Sequence, residues 1–182
     1  GFKKNQPFRI PKGKKIILVT VHRRESFGSP IKDIFKGIRK IADRILDTEI
    51  YYPVHLNPHV QKAARQFLHH HPRIHLLPPV TYDKLIYLMS VSQLILTDSG
   101  GIQEEAPSFH KPILVVRNVT ERPECVASGF SRVVGWESEK IFHEARRCLL
   151  DARLMVLLKK KQNPYGDGKA AKRIIQFLKN NL

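Results

Sequence analysis

Three stretches of this sequence carry side chains suited to a negatively charged, hydroxylated ligand. The densest is Thr97-Asp98-Ser99-Gly100-Gly101-Ile102-Gln103-Glu104-Glu105. Two adjacent glycines remove side chains where a chain must turn or a ligand must come close. A helix starting there has free N–H groups and a positive dipole end, which together favour an anion. Ser99 adds a hydroxyl donor, and Glu105, one turn on, is a carboxylate able to accept from sugar hydroxyls. Without a ligand, the same residues read as a tight turn in which Asp98 or Ser99 caps the helix. No Gly-Lys-Ser/Thr follows, so this is not a Walker loop, and the glycines do not form a GxGxxG fingerprint.

The second stretch is His22-Arg23-Arg24-Glu25-Ser26-Phe27-Gly28. Two arginines and a histidine can meet phosphate or polar ligand groups, or can simply pair with acids at a surface. The third is Arg117-Asn118-Val119-Thr120-Glu121-Arg122-Pro123-Glu124. Thr120 is placed to cap a helix and leave Arg122 projecting; the alternative pairs Arg122 with Glu121 or Glu124. Each stretch is ambiguous alone. Three on one rim make an anion site with a hydroxyl-accepting carboxylate, which suits a nucleoside diphosphate or a sugar nucleotide.

The elements between them say whether they share a rim. Ile16–Val21 is a β-rich run without a polar break, as in a strand covered on both faces. Ile31, Ile34, Phe35, Ile38, Ile41, Ala42 and Ile45 recur at helical spacing, with Ser29 predicted as N-cap and Pro30 at the first helical position. Further strands are predicted at 50–54, 74–77, 94–97, 113–116 and 132–134. Helices are predicted at 60–68, after Thr81 as cap, at 101–109, at 138–158 as one unit, and at 168–180. Strand and helix in alternation predict an α/β fold: a Rossmann-like parallel sheet with helices on both faces. In such sheets ligands sit beyond the carboxyl ends of the strands, where all three stretches fall. The expected division is a basic extension or linker over 1–14, the Rossmann-like domain over 15–162, and a turn and helix over 163–182.

At 182 residues and 42% hydrophobic content the chain can bury a real core. The balance of 32 Lys+Arg against 16 Asp+Glu, net +16, favours polyanions or an acidic partner face. No acid occurs before Glu25. No aromatic–basic interleaving of the RNP type, zinc knuckle or GXXG clamp accompanies the charge, so nucleic acid is not the expected partner. No apolar run approaches the roughly 18–20 residues that span a bilayer, and no apolar stretch follows the first lysines as a leader would require. Cys125 and Cys148 form neither a disulfide framework nor a metal spacing, and a reducing cytoplasm is expected. His69-His70-His71 lacks ligand carboxylates and stands at a helix end, and His55 and His59 flank Asn57-Pro58 at a loop start, so no metal site is expected. There is no nucleophile elbow.

With these segments assembled, the sequence resembles the non-hydrolysing UDP-N-acetylglucosamine 2-epimerases. The resemblance rests on His22–Gly28, on Tyr52-Pro53-Val54-His55-Leu56-Asn57-Pro58 and on Leu96–Ser108. It continues through Thr120-Glu121-Arg122-Pro123-Glu124 and Asn163-Pro164-Tyr165-Gly166-Asp167-Gly168. It runs from near Lys15 onward and matches the second half of the family's protein. Val21, His110 and Cys125 stand where the family usually has smaller residues.

The resemblance implies one half of a GT-B two-domain fold and the conversion of UDP-GlcNAc to UDP-ManNAc by UDP elimination and re-addition, without cofactor or metal. It implies that Ser99, Gly100, Gly101 and Arg122 hold the diphosphate, that Glu105 accepts from the ribose, and that the Val80–Leu85 segment meets the uracil. His22 would face the diphosphate and the reacting sugar. Arg23 and His55 match positions touching a second, activating UDP-GlcNAc. Proton-transferring carboxylates would come from the N-terminal half, and the complete enzyme would be a cytoplasmic homo-oligomer, a dimer, feeding cell-surface polysaccharide synthesis. Two other readings stand beside it: the nucleotide-binding domain of a GT-B glycosyltransferase, and a non-catalytic sugar-nucleotide-binding remnant.

Overall fold

Six short apolar runs become six strands, all parallel, in a computed structural model that describes Phe8 and residues 10–181. They are β1 (Lys15–Thr20), β2 (Thr48–Pro53), β3 (Ile74–Leu77), β4 (Leu94–Thr97), β5 (Ile113–Val115) and β6 (Ser131–Val133). Their order is β3-β2-β1-β4-β5-β6, so β1 lies between β2 and β4. The chain adds strands outward on one side of β1 up to β3 and on the other side from β4, so the strand order reverses between β1 and β4. The crevice at such a switch point is where open α/β sheets take ligands. The register there aligns Thr20 with Thr97, and their hydroxyls bond at 2.7 Å.

Alternation along β1 feeds two cores. Ile17 and Val19 join α1 (Ser29–Arg44), α2 (Pro58–Leu68) and α6 (Ser138–Leu150) on one face. Ile16 and Leu18 face α3 (Tyr82–Val91), α4 (Gly100–Glu105) and α5 (Pro123–Ala127) on the other. Burial on both sides is the reason β1 has no polar break. Gly37 lets α1 and α6 touch: a Cβ there would stand 3.1 Å from the Cβ of Ile141.

Two predicted boundaries are corrected. Ser29 does not cap α1; the N-cap is Gly28 at φ 89°, and Ser29 is already helical with no side-chain cap bond. The chain arrives through the left-handed region, which glycine enters without strain, so backbone freedom replaces a hydroxyl. The single helix predicted over 138–158 is two, α6 and α7 (Ala152–Lys159). Asp151 separates them by accepting from the N–H groups of Arg153 at 2.9 Å and Leu154 at 3.1 Å. A capping carboxylate competes with continued helix at that point.

The Asn163–Gly168 turn docks on the body: the Asn163 amide donates to the Glu104 carbonyl at 2.9 Å and to the Ser108 hydroxyl at 2.8 Å. Beyond it, α8 (Ala170–Asn181) leaves Ile174, Ile175, Phe177 and Leu178 exposed. Most of the predicted basic extension, Lys3, Lys4 and Arg9 included, lies outside the described residues.

Candidate functional site

The residue that assembles the rim is Asp98, the first after β4 and fully buried. Its Oδ2 accepts from the backbone N–H groups of His22 and Arg23, each at 2.7 Å. The carboxylate thus pins the loop leaving β1 against the loop leaving β4. Its Oδ1 lies 3.5 Å from His22 Nδ1. Burial pushes the Asp98 carboxyl up and the His22 imidazole down, against the opposing pull of each on the other. The reading of Asp98 as a helix cap is therefore replaced: Ser99 occupies the N-cap position of α4, and neither side chain makes a cap bond there. Ser99 N–H instead donates to the Thr97 hydroxyl at 2.9 Å.

The Tyr52 hydroxyl donates to the Val21 carbonyl at 2.5 Å and fixes the end of β1 from the other side. Past it, the His22 ring stacks on His55, centroids 5.2 Å apart and planes 10° from parallel. A cleft of about 440 Å³ opens beside this pair, and His22, His55, Val80, Leu85 and Ser99 all line it. Thr20, His22, His55 and Ser99 give it polar lining, and Val80, Leu85 and Ile102 give it apolar lining.

Gly100, Gly101, Glu105 and Arg122 are not among the residues that line this cleft; the first three belong to the neighbouring α4 and Arg122 to the loop after β5. The Arg122 guanidinium lies over the α4 N-terminus, its Nη2 3.4 Å from where a Cβ on Gly100 would be. Nε donates to Glu104 and Nη1 to the Glu121 carbonyl at 3.0 Å, while Nη2 has no acceptor among the described residues. The expected alternatives for Arg122, pairing with the carboxylates of Glu121 or Glu124, are corrected accordingly. Thr120 does not cap α5; Arg122 is at that N-cap position. The Thr120 hydroxyl donates to Gln103 Oε1 at 2.7 Å and accepts from Arg122 N–H at 3.1 Å. Glu105 faces Tyr82, whose phenol it pushes up by its charge, and its Oε2 is buried without a partner.

Arg23 is half-buried, its backbone carbonyl accepting from Ser26, and it stands near His22 on the rim. The charge hub beneath the rim is Arg117, only 4% exposed. It donates to both oxygens of Glu25 and to both oxygens of Glu121, bracing the β1 loop against the β5 loop. Sequence reasoning placed Arg117 in a polar stretch and assigned it nothing. Its one signal was position, directly after a buried strand. Of the dismissed histidines, His71 does have a carboxylate: its Nε2 lies 3.1 Å from Asp43 Oδ1. His59 stacks on Phe27 at 5.5 Å. Among the described residues no three His, Cys, Asp or Glu side chains gather as a metal site would need.

Comparison with known proteins gives a consistent result. A family described as UDP-N-acetylglucosamine 2-epimerase matches residues 2–179. The UDP-N-acetylglucosamine 2-epimerase of Escherichia coli K12 is 48% identical over 177 residues, covering 97% of this chain and 47% of that protein. The S. aureus MnaA–UDP co-structure is 44% identical with a TM-score of 0.87, over 93% of this chain and 46% of that one. A Neisseria meningitidis UDP-GlcNAc 2-epimerase bound to UDP-GlcNAc is 42% identical with a TM-score of 0.88, over 94% and 46%. The chain therefore spans about half the length of the relatives it matches, and its fold is one Rossmann-like half of a GT-B architecture.

Proposed function

We propose the following function for this chain, which belongs to the UDP-N-acetylglucosamine 2-epimerase family: it holds the UDP portion of a UDP-N-acetylhexosamine and stabilises UDP as a leaving group. The observation that carries the reading is the Asp98 staple. It holds the loop carrying His22 against the loop carrying Ser99, Gly100 and Gly101 at the β1/β4 switch point, and the Arg122 guanidinium lies beside Gly100. In this reading the N–H groups at Gly100 and Gly101, the Ser99 hydroxyl and Arg122 Nη2 take the diphosphate. In the same reading Glu105 accepts from a ribose hydroxyl, and uracil lies against Val80 and Leu85. His22 stands between the diphosphate and the sugar; Arg23 and the stacked His55 face a second nucleotide sugar.

The complete enzyme then interconverts UDP-GlcNAc and UDP-ManNAc. A base removes the sugar C2 proton while the C1–O bond to the diphosphate breaks, leaving UDP and a 2-acetamidoglucal; re-addition with protonation of the other face reverses the stereocentre. Donors preorganised at the diphosphate serve the departing charge. The proton transfer requires a carboxylate beside C2, and the proposed partner that supplies it is a second Rossmann-like half. A cytoplasmic homodimer is the proposed setting, consistent with two free, buried cysteines.

Titration calorimetry with UDP tests the site. Arg122→Ala and Glu105→Ala are each expected to weaken binding by about tenfold or more, as removal of a charge-assisted hydrogen bond does. Unchanged affinity in both variants refutes the assignment.

A further inference from the structure

The residue beside Glu105 has no place in the reading above, yet it touches the arginine on which that reading depends. Glu104 is half-exposed on α4, and its carboxylate takes the Nε edge of Arg122. Gln103, the residue before it, fixes the arginine's backbone through the Thr120 hydroxyl. Consecutive residues of one helix thus hold the same arginine twice, one by main chain and one by side chain. The Glu104 backbone is itself held, its carbonyl accepting from the Asn163 amide. With Nε on Glu104 and Nη1 on the Glu121 carbonyl, the guanidinium plane is set, and the unused Nη2 lies above Gly100 at the α4 N-terminus.

A carboxylate is a costly choice for this task. It places a negative charge against the cation that must serve a diphosphate, and a carboxylate and a diphosphate sharing one arginine repel each other. An amide would hold Nε with less penalty to the ligand. We infer that Glu104 is a positioning residue with two opposed effects: it aims Arg122 Nη2 at the diphosphate, and its charge weakens the grip on that diphosphate so that UDP remains exchangeable. This inference rests on the reading that the diphosphate binds between the Ser99–Gly101 turn and Arg122.

The two effects separate in two substitutions. Glu104→Gln keeps an oxygen for Arg122 Nε and removes the charge; Glu104→Ala removes both. In calorimetric titration of the full chain with UDP, Glu104→Gln is expected to bind about three- to tenfold tighter than the parent at low salt. That gain should shrink as ionic strength rises toward about 0.5 M, since the repulsion it relieves is screened. Glu104→Ala is expected to bind at least about threefold more weakly than Glu104→Gln, and this difference should vanish when Arg122 is also alanine, the mark of an effect exerted through that side chain.

A parent chain that does not bind UDP, or an Arg122→Ala variant that binds as well as the parent, refutes the site itself and the inference with it. With Arg122 shown to matter, a Glu104→Gln variant no tighter than the parent overturns the tempering role. Equal affinities for Glu104→Gln and Glu104→Ala overturn the positioning role. Matching melting temperatures across the set show that these differences are not losses of fold.

Discussion

Replacing Asp98 by alanine should destabilise this protein by releasing the two loops that its carboxylate joins. The carboxylate is fully buried and its Oδ2 serves two backbone donors, His22 N–H and Arg23 N–H, at 2.7 Å each. Alanine leaves both donors without an acceptor, at about 1–3 kcal/mol apiece. Two opposing contributions reduce the sum: the burial that raises the Asp98 pKa is relieved, and water can enter the space vacated. A net loss of about 3 kcal/mol follows from these terms, or about 6–12 °C in melting temperature for a domain of this size.

Asp98→Asn separates geometry from charge. Its carbonyl oxygen can accept from both backbone groups, while its amide takes the Oδ1 position facing His22 Nδ1, which accepts in the neutral tautomer protonated on Nε2. The expected loss is about 1 kcal/mol. Urea denaturation monitored by circular dichroism gives both values. A loss below about 1 kcal/mol for alanine, or equal losses for alanine and asparagine, would show that the two bonds do not staple the β1 and β4 loops as argued.

Two further outcomes are expected. Gly100→Ala should fold, because its Cβ meets the Arg122 guanidinium at 3.4–3.7 Å, ordinary contact distance, yet it should weaken UDP binding by about tenfold by filling the approach to the α4 N-terminus; UDP titration and a melting curve check the pair. Burial lowers the His71 pKa below its ordinary value of 6.5, so the folded state resists protonation and the stability this group contributes is present above that value and lost as pH falls from it. The melting temperature should therefore drop between about pH 7.5 and pH 5.5, and drop less in His71→Gln, a comparison in which all other titrating groups are shared; parallel pH profiles would refute the assignment.

Local patterns made much of the fold legible. Ile16–Val21 reads as a doubly covered strand because both of its faces are in fact packed, and the helical spacing from Ile31 to Ile45 reads as α1 because one stripe of it meets the sheet. Where local reading failed, a competing backbone option had won. Gly28 supplied a left-handed turn in place of a Ser29 cap. Asp151 capped a new helix in what looked like one continuous period, and the Asp-Ala-Arg sequence was the signal passed over. His110, which stands where the family usually has a smaller residue, takes left-handed geometry at φ 55°.

Sequence alone made legible the six strands, most of the helices, the glycine turn after β4, and which polar residues follow which strand. Those properties depend on neighbours a few positions apart, which periodicity and composition record. Tertiary structure decided the partners. Asp98 reaches a loop 76 residues away and Arg117 a carboxylate 92 residues away, and Arg122 pairs with Glu104 rather than with the acids beside it in the chain. Those choices follow from placing β1 between β2 and β4, which brings the ends of β1, β4 and β5 together. Strand order arises from the packing of whole helices and sheet faces, and no window of sequence carries it.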